Sequence, residues 1–351
     1  MLQALGRFLI DGERQMPWHA VLTTMLAVVV PVIAAVAIFG SPGAAVFIAA
    51  MPAHLAAKQS GIYAATGVTL MTSMGGVLAL GSLVLSLQVA AILSVITAIG
   101  FRHGLATPCL RALFTWTVFT GPVLPEDQKA LILALSIAAI FWSVGVTWAM
   151  GHAADAAQDD ASSPEYSLLF GAALGVGLVL SVWVGNTFFG AHGFWFPLTF
   201  AVLWIPPFGE LFSRTAKRSL GTVAGVAVAL GLAFVVEEVV LRAAIAILAL
   251  PLAFRILPRS SVAFVTLLTV AVIEALSLVS DVERLAFERV YSMAAAALMA
   301  VVLGVIALWI LRRIDPEAIE TLKSPDPEAD HSVAARPGAP ERTERDALAG
   351  R

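Results

Sequence analysis

Long apolar stretches separated by short polar connections run along the chain from residue 18 to residue 313. A helix that crosses the hydrocarbon core of a bilayer needs roughly 20 apolar residues, and about 17–25 is the usual range. By this measure the pattern predicts an all-α polytopic membrane protein with about twelve spanning helices. The first six are expected near residues 18–39, 43–57, 62–81, 83–101, 105–124 and 130–151. The second six are expected near residues 167–189, 193–208, 217–236, 239–257, 261–280 and 288–311.

The polar connections divide the chain into two membrane halves that follow an N-terminal segment, residues 1–17. Residues 62–101 are an almost continuous apolar run, which we divide near Gly81 and Ser82. Residues 152–166 are polar and acidic, and we interpret them as a cytoplasmic linker between halves at 18–151 and 167–313. Residues 314–351 hold few large apolar side chains, so this tail cannot bury enough surface to offset its chain entropy and is expected to be disordered.

Composition supports a membrane protein and excludes several other classes. Hydrophobic residues make up 59% of the chain and charged residues 13%, against about 45–50% and 25% in soluble domains. Such a chain cannot cover a soluble globule with polar groups, which excludes a soluble enzyme. The net charge of −3 gives no basic surface for nucleic acid, and the single cysteine, Cys109, excludes an internal disulfide. Because no catalytic, nucleotide-binding or metal-binding motif stands out, we expect no enzyme, no cofactor and no metal.

The distribution of Lys and Arg favours a cytoplasmic location for both termini. In that orientation more basic residues fall in the inner connections than in the outer ones. The inner set is Lys58, Arg102, Arg214, Lys217, Arg218, Arg255 and Arg259. The outer set is Lys129, Arg242, Arg284 and Arg289. We therefore expect a multi-pass protein of the cell inner (plasma) membrane, surrounded by lipid.

The two halves resemble each other at an offset of about 153–154 residues. The matching positions are Pro52 with Pro206, Gly67 with Gly221, and Phe101-Arg102 with Phe254-Arg255. Six helices in each half would make a parallel repeat, related by an axis along the membrane normal. Two short, proline-interrupted segments, residues 43–57 and 193–208, then correspond, and such pairs point to a transporter binding site. Two kinked packing helices are the simpler interpretation.

Ionisable groups inside predicted helices supply the candidate chemistry, because charge there is costly and usually faces the bundle interior. Arg111 is a candidate partner for a substrate carboxylate, since its planar fork binds carboxylates bidentately; alternatively it extends to the membrane surface. Glu274 is a candidate proton-coupling acid, or else it pairs with Arg242 or another arginine or lies near the outer surface. Arg242 itself is expected to pair with Glu238, four residues earlier on the same helix face. His54, in the first interrupted segment, is the second proton-coupling candidate, or else an ordinary interface residue.

The second interrupted segment and the helix after it carry further candidates. Trp195 and Trp204 are placed to stack on an aromatic ligand. Arg218 begins a helix whose Gly221 and Gly225 would let two helix backbones approach closely. Arg218 then either contacts an anion or anchors that helix at the membrane surface.

The stretch HGFWFPLTFAVLWIPPFGELFSRTAKRSLGTVAGVA, residues 192–227, resembles the FUSC family, named for fusaric-acid resistance, and the related aromatic acid exporters. The residues that carry the resemblance are His192, Trp195, Pro197, Thr199, Arg218, Gly221, Thr222 and Gly225. The resemblance implies an integral membrane transporter and an organic anion as its substrate. We therefore expect substrate to contact Arg111, Arg218, Trp195, Trp204 and His192, with Pro197, Gly221, Thr222 and Gly225 shaping the helices.

Some features depart from the family pattern. The first half has Lys58 and Gly67 but no Arg-x-x-Gly-Thr sequence. Larger family members carry a sizeable cytoplasmic domain where this chain has only its acidic linker, so any function of that domain would have to come from another protein.

The prediction is an exporter of small aromatic organic anions, driven by the proton gradient or the membrane potential. An anion channel with a basic constriction is one alternative, and a non-transporting component of an envelope assembly is another. A periplasmic membrane-fusion adaptor is the expected protein partner of an exporter, a homo-oligomer stays open, and nucleic acid is not expected.

Overall fold

The computed structural model describes residues 9–10, 14–156, 161–205, 210–277 and 281–314. These residues form helices and connections, with no strand among them. The first five helices are α1 (Trp18–Phe39), α2 (Ala45–Ala79), α3 (Leu83–Arg102), α4 (Ala106–Trp116) and α5 (Lys129–Ala149). The remaining helices are α6 (Pro164–Phe188), α7 (Trp195–Leu203), α8 (Leu211–Val235), α9 (Val239–Ile256), α10 (Ser261–Leu276) and α11 (Val282–Ile314).

The expectation of an all-helical membrane protein is confirmed, but twelve spanning helices are not. In the described ranges, 7 helices are long and apolar enough to cross a membrane. The difference arises at the short elements: α4 has 11 residues and α7 has 9, which is about 14–17 Å of helix against a hydrocarbon core of about 30 Å. In addition, the segments expected near 43–57 and 62–81 form one continuous element with a break inside it.

Three sequence features set the breaks in the first half. The break in α2 falls at Gly61, whose φ of 80° and ψ of 167° suit glycine alone among ordinary residues. The division between α2 and α3 comes at Gly81 and Ser82, as predicted, because the Ser82 hydroxyl caps α3 by accepting from Leu85 N–H. In α1, the turn before Pro31 widens to a π-helix over Met25–Val29, since proline lacks the N–H of a regular turn.

Helix packing brings the two halves together around a shared apolar core. In the first half, α2 packs along α5 and α4. In the second half, α8 packs against α10 and α11, and α11 also packs against α7. The halves meet where α3 lies along α6, and their largest buried cluster includes Trp116, Phe170 and Trp204.

Two glycines hold α8 close to α10. A Cβ atom at Gly221 would come within 2.8 Å of the Val262 carbonyl oxygen, and one at Gly225 would come within 2.6 Å of the Thr266 carbonyl oxygen. Backbone contact of this kind needs small residues four positions apart, the spacing that the sequence provides. Because Gly221 and Gly225 face α10, α8 cannot rotate about its own axis. Arg218 and Thr222 are one turn apart and share another face of α8, so the direction of that face is fixed as well.

Several expectations fall on residues that lie wholly or mostly outside the described ranges. These are the N-terminal segment 1–17, the tail 314–351 and the Pro206 half of the proline match.

Candidate functional site

A buried histidine joins three helices of the first half. His54 of α2 is 0% exposed. Its Nε2 lies 2.9 Å from the Thr24 hydroxyl of α1, and its Nδ1 lies 2.8 Å from the Thr147 hydroxyl of α5. Both threonine hydroxyls also donate to carbonyl oxygens one turn earlier, those of Ala20 and Ser143.

The protonation state of His54 and the direction in which these two hydroxyls donate depend on each other. Each hydroxyl has one proton to donate, and a neutral imidazole has one N–H donor and one acceptor nitrogen. If both threonines donate to the backbone, both ring nitrogens of His54 must donate and the ring is an imidazolium. If His54 is neutral, one threonine must turn its proton toward the ring.

Basic groups surround the end of the first segment of α2. Arg111 of α4 donates from Nη1 to the Leu55 carbonyl oxygen at 3.3 Å, and Lys58 lies close enough to Arg111 and His54 for their charges to interact. In the loop after α5, the ring of His152 stacks on His19 with centroids 5.3 Å apart. Burial, and then the positive charge of Lys58, lowers the pKa of His152 below its ordinary value of 6.5.

Glu274 of α10 is fully buried and faces Arg242 of α9. The Arg242 Nε and Glu274 Oε2 atoms are 3.8 Å apart, which makes an ion pair but not a hydrogen bond. In the part of the chain that is described, neither carboxylate oxygen has a hydrogen-bond partner. The structure shows Glu274 paired with Arg242, and its role in proton coupling stays a prediction.

In the second half, an indole ring contacts both a histidine and an arginine. Trp195, in the first turn of α7, is 1% exposed. The His192 ring stacks on it with centroids 5.0 Å apart. The Arg289 guanidinium of α11 lies 5.4 Å from the ring centroid, within the range of a cation–π contact.

A second arginine approaches Arg289 from α8. Arg218 and Arg289 are close enough for their charges to repel each other. Arg289 is 8% exposed, and its Nη1 lacks a hydrogen-bond partner among the described residues, as does Arg218 Nε. Neither guanidinium has a carboxylate partner in the described ranges, so the two charges are uncompensated there.

Two fully buried hydroxyls lie on the same helices as Arg218 and Trp195. Thr222 lies one turn after Arg218 on α8, and Thr199 lies one turn after Trp195 on α7; both are 0% exposed. Neither hydroxyl has a hydrogen-bond partner in the described part of the chain. We call Trp195, Thr199, Arg218, Thr222 and Arg289 the paired-arginine cluster.

The register between α8 and α11 determines how far along these helices the cluster lies. The Ser219 hydroxyl of α8 contacts Met293 of α11 at 3.2 Å, and Leu211 at the start of α8 lies against Gly304. The two helices therefore run antiparallel, and Arg289, one turn before Met293, is level with the middle of α8. Arg289 was expected in an outer connection, but it lies inside α11.

A chain of polar contacts leads from the cluster to the surface. His192 Nδ1 lies 2.6 Å from Glu288 Oε2, and Arg284 Nε donates to Glu288 Oε1 at 2.8 Å. Side-chain exposure rises along the chain from 13% for His192 to 21% for Glu288 and 66% for Arg284. The carboxylate nearest to Arg289 in sequence is therefore already held by two other groups.

The structure brings only some of the predicted site residues together. Arg218, Trp195 and His192 share one site with Thr222, while Arg111 has its described contacts in the first half. Trp204 is 0% exposed and stacks on Phe200 in the large apolar core, with centroids 5.1 Å apart. Pro197 lies on α7 beside Gly185 of α6.

Sequence reasoning missed Arg289 and Glu288 as site residues. Both stand in the sequence Arg-x-x-x-Glu-Arg, residues 284–289, at the start of the last helix. The spacing of Arg284 and Glu288 predicts an i,i+4 pair on one face of the helix. Arg289 then lies on another face without an acidic neighbour on that face, and this pattern could have marked it as a site residue.

Comparison with known proteins supports the resemblance over the second half. Residues 172–303 match the family described as "Fusaric acid resistance protein-like". This range includes the whole paired-arginine cluster, together with His192 and Glu288. No curated protein and no solved structure matches the chain. The apolar helices and the family match together identify a multi-pass membrane protein.

Proposed function

We propose that this protein exports small aromatic organic anions across the inner membrane and that the paired-arginine cluster binds them. One observation carries the proposal: Arg289 lies over a buried tryptophan ring, Arg218 is close enough for the two charges to repel each other, and neither has a carboxylate partner in the described ranges. The family match over residues 172–303 is consistent with a transporter of the efflux type.

The physical chemistry of the cluster favours an anion. An unpaired charge within a membrane protein costs several kcal/mol, on the order of 3 or more, unless a counter-charge or water satisfies it. A carboxylate would supply that counter-charge and accept from the guanidinium groups bidentately. The Trp195 ring is stacked by His192, and an aromatic substrate that takes the place of the imidazole keeps a ring–ring contact there, which favours an aromatic substrate over an aliphatic one.

We also propose the finer architecture of two six-helix repeats, with both termini in the cytoplasm. If α2 is divided at Gly61, each half has six helical segments. A two-fold axis along the membrane normal would relate the packing of α3 on α6 to the packing of α9 on α1, and both packings occur. The short or broken elements, α2 and α7, then occupy corresponding places near the axis.

Proton coupling would come from His54 and Glu274 under this proposal. His54 is connected to α1 and α5 by contacts whose donors depend on its charge. Glu274 is fully buried with an ion pair that is longer than a hydrogen bond. Arg111 and Lys58 would form a second cationic position along the pathway, in the first half.

Reconstitution in liposomes tests the transport proposal. Uptake of a labelled aromatic carboxylate would be measured with and without an imposed pH gradient and membrane potential. Gradient-dependent uptake that is reduced in Glu274→Gln would support a coupled carrier. Downhill flux that is indifferent to the pH gradient would instead favour a channel. No flux of any organic anion, from protein that is verified as folded, would contradict the transport proposal and favour a non-transporting role.

A further inference from the structure

Resting on the proposed function, we infer that the paired-arginine cluster is selective for aromatic dianions, such as benzene dicarboxylates, over aromatic monocarboxylates. The inference comes from the charge and the hydrogen-bonding capacity of the cluster. The relevant feature is that the cluster holds two positive charges and lacks a negative one in the described ranges.

Each carboxylate on the neighbouring helices is already engaged or exposed. Glu288 of α11 is held by His192 and Arg284, and Asp281 and Glu283 at the start of that helix are exposed. Glu274 of α10 faces Arg242, and Glu210, just before α8, pairs with Arg214. The sequence of α7 contains no acidic residue. These contacts leave Arg218 and Arg289 with a combined charge of about +2, because guanidinium groups stay protonated in proteins.

A monocarboxylate would neutralise only half of this charge. The other guanidinium would stay partly buried beside a like charge, and that arrangement is unfavourable in an environment of low dielectric constant. A dianion neutralises both guanidiniums at once, so its second carboxylate gains a strong interaction without losing a protein partner.

The hydrogen-bond donors match the same ligand. Terephthalate, the 1,4 isomer, presents four carboxylate oxygens at opposite edges of a flat ring. The cluster offers unpartnered N–H groups of Arg218 and Arg289 and the unpartnered hydroxyls of Thr199 and Thr222. These donors lie on three helices, α7, α8 and α11, that pack against one another. The ring between the carboxylates would take the place of the His192 ring against Trp195, and each carboxylate would accept from an arginine and a hydroxyl.

Ligands that share one aromatic ring and differ in charge test this inference. Binding of benzoate and of terephthalate to the purified full chain in detergent would be measured by calorimetry at pH 7.5, with benzamide as the uncharged control. The expected result is terephthalate binding at least about tenfold tighter than benzoate, since a desolvated charge pair is worth a large factor in affinity. Arg289→Gln and Arg218→Gln should each reduce this preference to near one.

Two further variants keep the test informative. Arg289→Lys retains the charge, so it should retain most of the preference for the dianion even if both affinities fall. Arg312→Gln, at an exposed position in the last turn of α11, should bind both ligands as the wild type does.

The outcomes separate this inference from the proposed function. Equal affinity of the wild-type protein for benzoate and terephthalate would overturn dianion selectivity while leaving anion transport intact. A preference that persists in both glutamine variants would overturn the assignment to these arginines. If neither anion binds to folded protein or crosses reconstituted membranes, the proposed function itself fails.

Discussion

Hydroxyl groups inside the bundle fall into two classes at the residue scale. Most buried Ser and Thr side chains donate to a carbonyl one turn earlier in their own helix, as Ser94 does to Ala90 and Thr97 does to Leu93. This pairing satisfies the hydroxyl within the helix and needs no ligand. Thr199 and Thr222 are equally buried but have no such partner. Ser60 and Ser167 are buried and unpartnered too, so it is their helix positions, one turn from Trp195 and Arg218, that make Thr199 and Thr222 candidate ligand donors.

Thr222→Val tests that distinction with a side chain of nearly the same shape. We expect the KM for anion flux to rise about tenfold, because a hydrogen bond to a charged ligand is worth about 1.5–3 kcal/mol. Thermal stability should stay unchanged or rise, since an unsatisfied buried hydroxyl is removed. Thr97→Val is the matched control, and its KM should be that of the wild type. Wild-type KM values in Thr222→Val would contradict the role proposed for this hydroxyl.

The loop histidine predicts how stability depends on pH. The pKa of His152 is lowered in the folded protein, chiefly by burial and then by Lys58, so the unfolded chain binds the proton more readily. The contribution of His152 to stability is therefore fully present above its ordinary pKa of 6.5 and is lost as the pH falls below that value.

Replacing this histidine should flatten the pH dependence of stability. We expect the Tm of the wild type to fall between pH 7 and about pH 5 by more than the Tm of His152→Gln does, as measured by thermal unfolding in detergent. His103→Gln, at an exposed position after α3, is the matched control and should follow the wild type. If the Tm of His152→Gln and the Tm of the wild type change in parallel with pH, His152 does not contribute to the pH dependence of stability.

At the element scale, breaks in helices were the part of the fold that the sequence predicted least completely. The apolar pattern correctly divided α2 from α3 near Gly81 and Ser82. It placed a connection at residues 58–61, whereas the helix continues to Ser60 and breaks at one residue, Gly61. Hydrophobic patterns locate apolar stretches, but a single positive φ leaves no trace in them. The close approach of the loop carbonyl of Ala154 to Gly61 is a tertiary contact that local pattern cannot contain.

Gly61→Ala tests the importance of this break. We expect a loss of stability of about 1–3 kcal/mol, because a residue with a side chain is strained at this φ and ψ, and because the new Cβ would lie 3.2 Å from the Ala154 carbonyl oxygen. Gly67→Ala, in the second segment of the same helix, has open space around its Cβ position and should be neutral or slightly stabilising. Thermal unfolding of both variants gives the comparison, and equal Tm values would contradict the strain at Gly61.

At the scale of the whole molecule, the candidate site depends on contacts that are distant in sequence. His192 and Glu288 are 96 positions apart, and Ser219 and Met293 are 74 apart. The aromatic and basic residues of α7 and α8 could be recognised from the sequence because they lie within one motif. Arg289 could not be placed in the same way, since its depth follows from the antiparallel register of α8 and α11. Spacing along one helix is periodic, but the register between two helices is a tertiary property.

Transport of an organic anion through the paired-arginine cluster can be tested by flux alone. The initial rate of labelled aromatic carboxylate flux into liposomes would be compared among the wild type, Arg218→Gln, Arg289→Gln and Arg312→Gln at equal amounts of folded protein. We expect flux to fall at least about tenfold in the first two variants, because each loses a charge that faces the substrate, and to stay at the wild-type rate in Arg312→Gln. Wild-type flux in both cluster variants would show that the anion does not cross through this cluster.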